Sequence, residues 1–246
     1  MASKATAAKR QRRERGSINP EDIIDGAFQL ADEVSINNLS MPLLGKHLGV
    51  GVTSIYWYFR KKDDLLNAMA DRALSKFTFE TPYVEASDWR ESLRNHARSM
   101  RKTFLSSPIL TDLILIRGAL SAKARRLGVE QMEKAIETLV EAGLSPEDAF
   151  DTYSAVSLHV RGTVVLQRLQ EKTGEPAGFE PRTIDPKSTP LIAKLAAKGH
   201  RLAAADEKNF EYGLDCILDH ASRLIEERQK ASKGAPRRAR KAVSRR

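Results

Sequence analysis

The chain has 246 residues, 41% of them hydrophobic, which suits one large domain or a small domain joined to a larger one. This hydrophobic content excludes global disorder, and no apolar run approaches the ~20 residues that span a bilayer. A single cysteine, Cys216, excludes an intramolecular disulfide framework, and no Cys/His cluster has zinc spacing. No apolar stretch follows the basic N-terminus, so a secretory signal is not expected, and the single cysteine fits a reducing cytoplasm. Neither a metal nor another cofactor is expected.

The net charge of +9 is distributed unevenly along the chain. Residues 1–16 hold six bases and one acid, and residues 228–246 hold nine bases and no acid, so residues 17–227 carry −5. Basic arms of this kind bind polyanions, because each neutralised phosphate releases counterions. Many basic tails only improve solubility, and that alternative stays open. The two arms, 1–17 and 231–246, are predicted to be disordered.

Helical periodicity dominates the sequence and no convincing alternating strand is found, so the predicted fold class is all-α. Asn19 and Pro20 mark the start of the first helix, and Ser40 marks the start of the second. Gly49 ends the second helix. The predicted helices cover about 20–38, 41–48, 53–59, 63–77, 88–106, 108–121, 127–143, 146–171, 190–204 and 206–230.

A helix-turn-helix is predicted between Leu39 and Phe59. Gly49-Val50-Gly51 allows the positive φ of a tight turn, and the small Gly45 lets the second helix of the pair approach. That second helix carries hydroxyl and aromatic side chains, and three bases follow it at residues 60–62, so it fits a major groove flanked by phosphates. In the alternative interpretation the aromatic residues are only core. Three adjacent aromatics cannot all face inward on one helix, however.

The run VTSIYWYFRKKDDLL, residues 52–66, resembles the recognition helix and the following helix of the TetR family. The resemblance implies a three-helix, homeodomain-like DNA-binding domain at 18–80. It also implies that Lys62 binds phosphate and that Pro42 and Val52 replace two base-reading residues, so a different operator is expected. The predicted DNA-contacting residues are Ser40, Met41, Pro42, Val52, Thr53, Ser54, Tyr56, Trp57, Tyr58 and Lys62.

Residues 81–230 resemble the C-terminal helical domain of the tetracycline-repressor subgroup, for example at Phe210–Asp215. This resemblance implies ligand binding and dimerisation. The magnesium-binding histidine of that subgroup aligns with Ile114, so neither tetracycline nor a metal is expected. His96 and Arg117 are predicted to anchor a largely apolar effector with one acidic or hydrogen-bonding end, although each candidate could instead be packed core. The candidate pocket residues are Thr78, His96, Met100, Phe104, Leu113, Ile114 and Arg117.

Apolar stripes along 146–171 and 206–230 predict a four-helix bundle between two copies of the chain, with ordinary monomer core as the alternative. A dimer would set two recognition helices roughly 34–36 Å apart, on a palindromic operator. The sequence thus predicts a ligand-responsive repressor that binds double-stranded DNA as a homodimer. An enzyme is not expected, because no phosphate-binding glycine loop or nucleophile motif occurs. An activator of the same family and a non-specific architectural DNA-binding protein remain as alternatives.

Overall fold

A computed structural model of the chain describes residues 18–76, 85–174, 184–201 and 203–234. The two basic arms and the predicted pocket residue Thr78 therefore lie outside the described residues. Every regular element in the described part is helical, which confirms the predicted fold class. The helices are α1 (Pro20–Asn38), α2 (Met41–Leu48), α3 (Val52–Tyr58), α4 (Lys62–Lys76), α5 (Trp89–Ser106), α6 (Pro108–Leu110), α7 (Ala122–Glu141), α8 (Pro146–Thr173), α9 (Pro190–Ala197) and α10 (Glu207–Gly234).

The chain divides into two compact units. The first unit comprises Met1–Phe77 and Pro108–Arg125, and the second comprises Thr78–Ser107 and Arg126–Arg246. The sequence suggested a single boundary near residue 80, whereas the structure groups the segment Pro108–Arg125 with the N-terminal helices. The physical reason is burial, because Leu113 is fully buried in the same hydrophobic core as α1 to α4.

Capping contacts confirm the predicted starts of α1 and α2 and the predicted end of α2. Asn19 and Asp22 form a reciprocal capping box at the start of α1. The Ser40 hydroxyl accepts a hydrogen bond from the Leu43 amide at the start of α2. Gly49 ends α2 in the left-handed conformation, at φ 70°. One feature of α1 was not predicted, since Ser35 interrupts it with a φ of 68°.

The second unit is built on α8, which packs against both α5 and α10. Its buried apolar residues include Leu93, Leu139, Val160 and Phe210, each fully removed from solvent. Helices α8 and α10 lie close together at Gly213. A Cβ added to this residue would be 2.4 Å from the ring of His159. Helix α6 continues into a π-helical turn, Thr111–Ile116, where the sequence predicted one regular helix over 108–121.

Candidate DNA-binding surface and effector site

The turn between α2 and α3 depends on two glycines. Gly49 takes the left-handed conformation that an L side chain rarely adopts, which reverses the chain after α2. A Cβ added to Gly45 would lie 3.2 Å from the Val50 carbonyl oxygen, and the Val50 amide donates to the Gly45 carbonyl at 3.0 Å. These contacts hold the start of α3 directly against α2.

Helix α3 has one buried face and one open face. Ile55 is fully buried and Phe59, just beyond the helix, is 8% exposed, so these two residues fasten α3 to the core. On the other face Trp57 is 77% exposed and Tyr56 is 43% exposed, and Thr53 is exposed as well. A short helix that leaves a hydroxyl and two aromatic side chains in solvent has the chemistry to contact base edges and thymine methyl groups.

Other predicted DNA-contacting residues lie deeper. Met41 is 4% exposed and belongs to the hydrophobic core, so its side chain is removed from the candidate surface. Val52 is half-buried and packs against the same core, whereas Pro42 is exposed. Tyr58 is half-buried, and its hydroxyl donates to the Ile18 carbonyl at 3.0 Å. Ser40 is occupied as the cap of α2.

Lys62, the predicted phosphate ligand, lies half-buried at the start of α4. Its ammonium donates to the Ile36 carbonyl at 3.4 Å. Burial lowers the pKa of Lys62 from its ordinary value, the nearby Arg117 guanidinium lowers it further, and Asp63 partly opposes both. An ammonium that is desolvated and lies near another cation gains more interaction free energy from a phosphate than a solvated ammonium does.

In the second unit, His96 on α5 has a buried ring nitrogen, Nε2, without a hydrogen-bond partner. Its ring stacks on that of Tyr153 from α8, with centroids 6.1 Å apart. Burial lowers the pKa of His96 to about 4, so the imidazole is neutral at physiological pH. Met100, one turn further along α5, is half-buried, and Phe104 is buried. A neutral ring with an unused nitrogen can exchange a hydrogen bond with an uncharged polar group.

The other predicted pocket residues belong to the first unit. Leu113 is fully buried in its core, and Ile114 packs against that core. Arg117 donates to the Asn37 side chain at 2.8 Å, near the end of α1. The structure therefore groups these three residues with the DNA-binding helices, whereas His96, Met100 and Phe104 belong to the second unit.

A set of ion pairs between α5 and α10 was missed at the sequence level. Four arginines at one-turn spacing on α5 face four acids on the antiparallel α10. The pairs are Arg90 with Asp219, Arg94 with Asp215, Arg98 with Glu211, and Arg101 with Glu207. The spacing of the arginines could have signalled a charged helix face, but single-sequence reasoning does not indicate which acids they meet.

Arg101 is the most buried member of this set, at 8% exposure. Its guanidinium contacts Glu207 at 2.6 Å and the Ala205 carbonyl at 3.3 Å, and it lies 4.8 Å from the centre of the Phe210 ring. Two open clefts of about 550 and 540 Å³ both include Arg101, Leu105 and Glu207 in their walls. The buried guanidinium of Arg101 thus links α5 to α10.

Helices α8 and α10 also carry exposed apolar side chains on the second unit. These residues are Phe150 (52% exposed), Leu158 (72%), Leu166 (52%), Leu169 (46%) and Tyr212 (73%). Two buried residues of the predicted stripe, Val156 and Val160, face the core of the unit instead. Helix α8 is therefore apolar on more than one side, whereas α10 contributes the single exposed ring of Tyr212.

Neither metal binding nor a membrane segment is indicated in the described residues. No group of three His, Cys, Asp or Glu side chains there is arranged to hold a metal ion. None of the described helices combines the length and the apolar character needed to cross a membrane.

Two family models match the chain. Residues 23–69 match "Bacterial regulatory proteins, tetR family", and residues 81–221 match "Tetracyclin repressor-like, C-terminal domain". The second match alone spans more than half of the chain. Both matches agree with the resemblances that the sequence motifs carry.

Individual proteins resemble the chain over most of its length. It is 71% identical to the Mycobacterium tuberculosis protein named HTH-type transcriptional repressor Rv1353c, over 92% of this chain and 89% of that protein. It is 32% identical to tetracycline repressor protein class A of Escherichia coli, over 82% and 89%. The solved structure of TetR from Acinetobacter baumannii AYE has a TM-score of 0.63 at 24% identity, over 85% of this chain and 99% of that one, which shows a shared fold.

Proposed function

Because the chain belongs to the TetR family of bacterial transcriptional regulators, which are DNA-binding proteins and not enzymes, we propose that it represses genes by binding a palindromic operator as a homodimer. A small effector releases the DNA. The observation that carries this proposal is the open face of α3, where Trp57 and Tyr56 stand in solvent beside Thr53 while Ile55 and Phe59 hold the helix on the core. Two adjacent exposed aromatic side chains form an apolar patch of the kind that marks an interaction surface.

The experiment that tests operator binding is selection of genomic fragments by the purified chain, followed by footprinting. A discrete protected palindrome supports the repressor. Uniform protection along every fragment would contradict it and would favour a non-specific architectural protein. A reporter gene placed behind the selected site then separates repression from activation, since a repressor lowers expression and effector addition restores it.

The homodimer is supported by the exposed apolar side chains of α8 and α10. Leu158 and Tyr212 are each more than 70% exposed in the single chain, and pairing these helices with their copies would bury them. Leu158→Glu should convert the dimer to a monomer in analytical ultracentrifugation. Val129→Glu is the matched control, because Val129 is also exposed, at 61%, but lies on α7. If both variants dissociate equally, or if neither dissociates, this interface is contradicted.

The effector is proposed to contact His96, Met100 and Tyr153 in the second unit. His96 Nε2 has no partner and lies in a buried environment, so an uncharged polar group satisfies it without the cost of taking a charge out of water. We therefore narrow the effector class to a largely apolar molecule with an uncharged hydroxyl, carbonyl or amide. A thermal-shift screen of such compounds should give hits that His96→Phe no longer binds. Hits confined to carboxylates, or hits unaffected by the substitution, would contradict the assignment.

Release of DNA is proposed to be a shift between two conformers, of which the effector binds one better. The segment Pro108–Arg125 is a covalent route for this coupling, because it belongs to the first unit while the chain on both sides of it belongs to the second. Within that segment Arg117 contacts Asn37 on α1. Arg117→Ala should leave the effector dissociation constant unchanged and alter the effector concentration that releases the operator. If both quantities keep their parental values, this route is wrong.

A further inference from the structure

Lys62 and Arg117 are neighbouring cations of the first unit, next to the end of α1. The Lys62 ammonium donates to the Ile36 carbonyl at 3.4 Å. The Arg117 guanidinium donates to the side chain of the following residue, Asn37, at 2.8 Å. Lys62 begins α4, whereas Arg117 follows the π-helical turn Thr111–Ile116. The fold therefore brings two like charges together from segments that are far apart in the chain.

No acid neutralises this pair within the part of the chain that the structure describes. Neither Lys62 nor Arg117 forms an ion pair there. Lys62 is half-buried, and its hydrogen bond to the Ile36 carbonyl is long. Burial and the Arg117 charge lower the pKa of Lys62, so the fold holds the charged ammonium at a free-energy cost. An anion that contacts both groups would remove part of this cost.

The two cations lie beside residues that are predicted to contact DNA. Asn37, which Arg117 contacts, precedes Ser40, the cap of α2, by three residues. Lys62 itself begins α4 shortly after α3 ends. Arg117 is exposed, and its guanidinium has further N–H donors besides the one that Asn37 accepts. The pair therefore lies where the backbone of a bound duplex is expected.

A role in ending α1 does not account for both cations. Lys62 reaches a carbonyl in the last turn of α1, as a cation near a helix C-terminus often does. Arg117 instead contacts an exposed side chain, and the last turn is closed without it, because the Leu39 amide donates to the Ser35 carbonyl. An exposed contact of this kind adds little to stability. The fold therefore does not require a cation at position 117.

We propose that Arg117 is a phosphate ligand of the DNA-binding surface, and that it holds one phosphate of the operator backbone together with Lys62. The inference rests on the proposed DNA binding and moves Arg117 from the predicted effector pocket to the DNA. A phosphate offers oxygens to both donors and removes the repulsion between them, and a guanidinium matches its geometry. Because a backbone phosphate carries no sequence information, Arg117 strengthens binding to every duplex.

The test compares the parent with Arg117→Gln in the absence of effector, on a duplex that the parent selects and on a scrambled duplex of equal length. Arg117→Gln should weaken binding to both duplexes by a similar factor of about three- to tenfold. The slope of log affinity against log salt should fall by about 1 for each half-site. Arg117→Lys should recover part of the loss, because it keeps the charge but not the planar fork.

A double-mutant cycle tests whether the two cations hold the same phosphate. Lys62→Met combined with Arg117→Gln should weaken binding by less than the product of the two single factors, because the first change already loosens the shared phosphate. Factors that simply multiply would overturn the shared site. The melting temperature of Arg117→Gln without DNA should equal that of the parent, which separates a lost contact from a damaged fold.

Arg125→Gln is the matched control, because it also removes one exposed arginine from the first unit and changes the net charge equally. It should alter the affinity and the salt slope much less than Arg117→Gln does. Equal losses for the two variants would overturn the inference, since long-range charge would then account for both. Parental affinity of Arg117→Gln for both duplexes would also overturn it. If the parent itself selects no duplex, the proposed function fails.

Discussion

The two units of the molecule place the groups proposed to contact their ligands in opposite ways. The first unit buries Thr111 and Asp112 but keeps its candidate DNA-contacting groups outside, on the open face of α3. The second unit takes polar groups inside, with Arg101 8% exposed and a ring nitrogen of His96 buried without a partner. DNA is a large polyanion, so a protein contacts it with surface groups. A small effector is discriminated best by groups that are already removed from water.

The largest effect is expected from damaging the core of the first unit. Leu44 on α2 is fully buried, and Leu44→Ala should lower the free energy of unfolding of this unit by about 2–5 kcal/mol through lost burial and a residual cavity. Hydrogen exchange followed by mass spectrometry reports on each unit separately. Leu191→Ala, at a site on α9 that is 68% exposed, is the control and should change little. Equal loss of protection in both units would mean that they unfold together.

The next effect tests how burial of the arginine changes the cost of removing an ion pair in the second unit. Arg101→Leu removes the donor to the Ala205 carbonyl and the cation over the Phe210 ring, while the exposed Glu207 stays solvated, so we expect a loss of about 1–3 kcal/mol in the free energy of unfolding. Arg90→Leu removes a pair on the same helices whose arginine is more exposed, and it should cost less than about 1 kcal/mol. Urea denaturation of both variants gives the comparison. If the two variants lose similar free energies of unfolding, burial of the arginine does not determine the cost.

A smaller effect concerns pH. Burial holds the pKa of His96 at about 4, below its ordinary 6.5, so the folded protein disfavours the protonated imidazole. The stability that depends on a neutral His96 is complete above pH 6.5 and is lost as the pH falls toward 4. Between pH 7.5 and pH 5 the parent should lose about 2 kcal/mol more than His96→Gln. Parallel pH profiles for the two proteins would show that His96 titrates normally.

Local sequence signals predicted the first unit well, because caps and turns act over a few residues. Asn19 and Ser40 cap the starts of α1 and α2, as their side chains predicted. Gly49 ends α2, as its backbone freedom predicted. The interruption of α1 at Ser35 could not be predicted, since a positive φ at serine has no local sequence signal. Periodicity also could not decide which of three adjacent aromatics turns inward, and only the structure assigns Tyr58 to the Ile18 carbonyl.

The candidate effector site was predictable only in part. His96 and Met100 follow from a resemblance in α5, but the grouping of Leu113, Ile114 and Arg117 with the first unit depends on contacts between segments far apart in the chain. The four ion pairs between α5 and α10 join residues more than 100 positions apart, beyond the range of any local pattern. Long-range charge pairing is therefore what the sequence alone left unresolved.

The most direct test of the central claim is the effect of Trp57→Ala on two duplexes, a palindrome selected by the parent and a scrambled duplex of equal length. Fluorescence anisotropy gives the two dissociation constants at one salt concentration. If the open face of α3 reads sequence, the variant loses at least about tenfold on the palindrome and little on the scrambled DNA, with an unchanged melting temperature. Equal affinity of parent and variant for both duplexes would contradict the account.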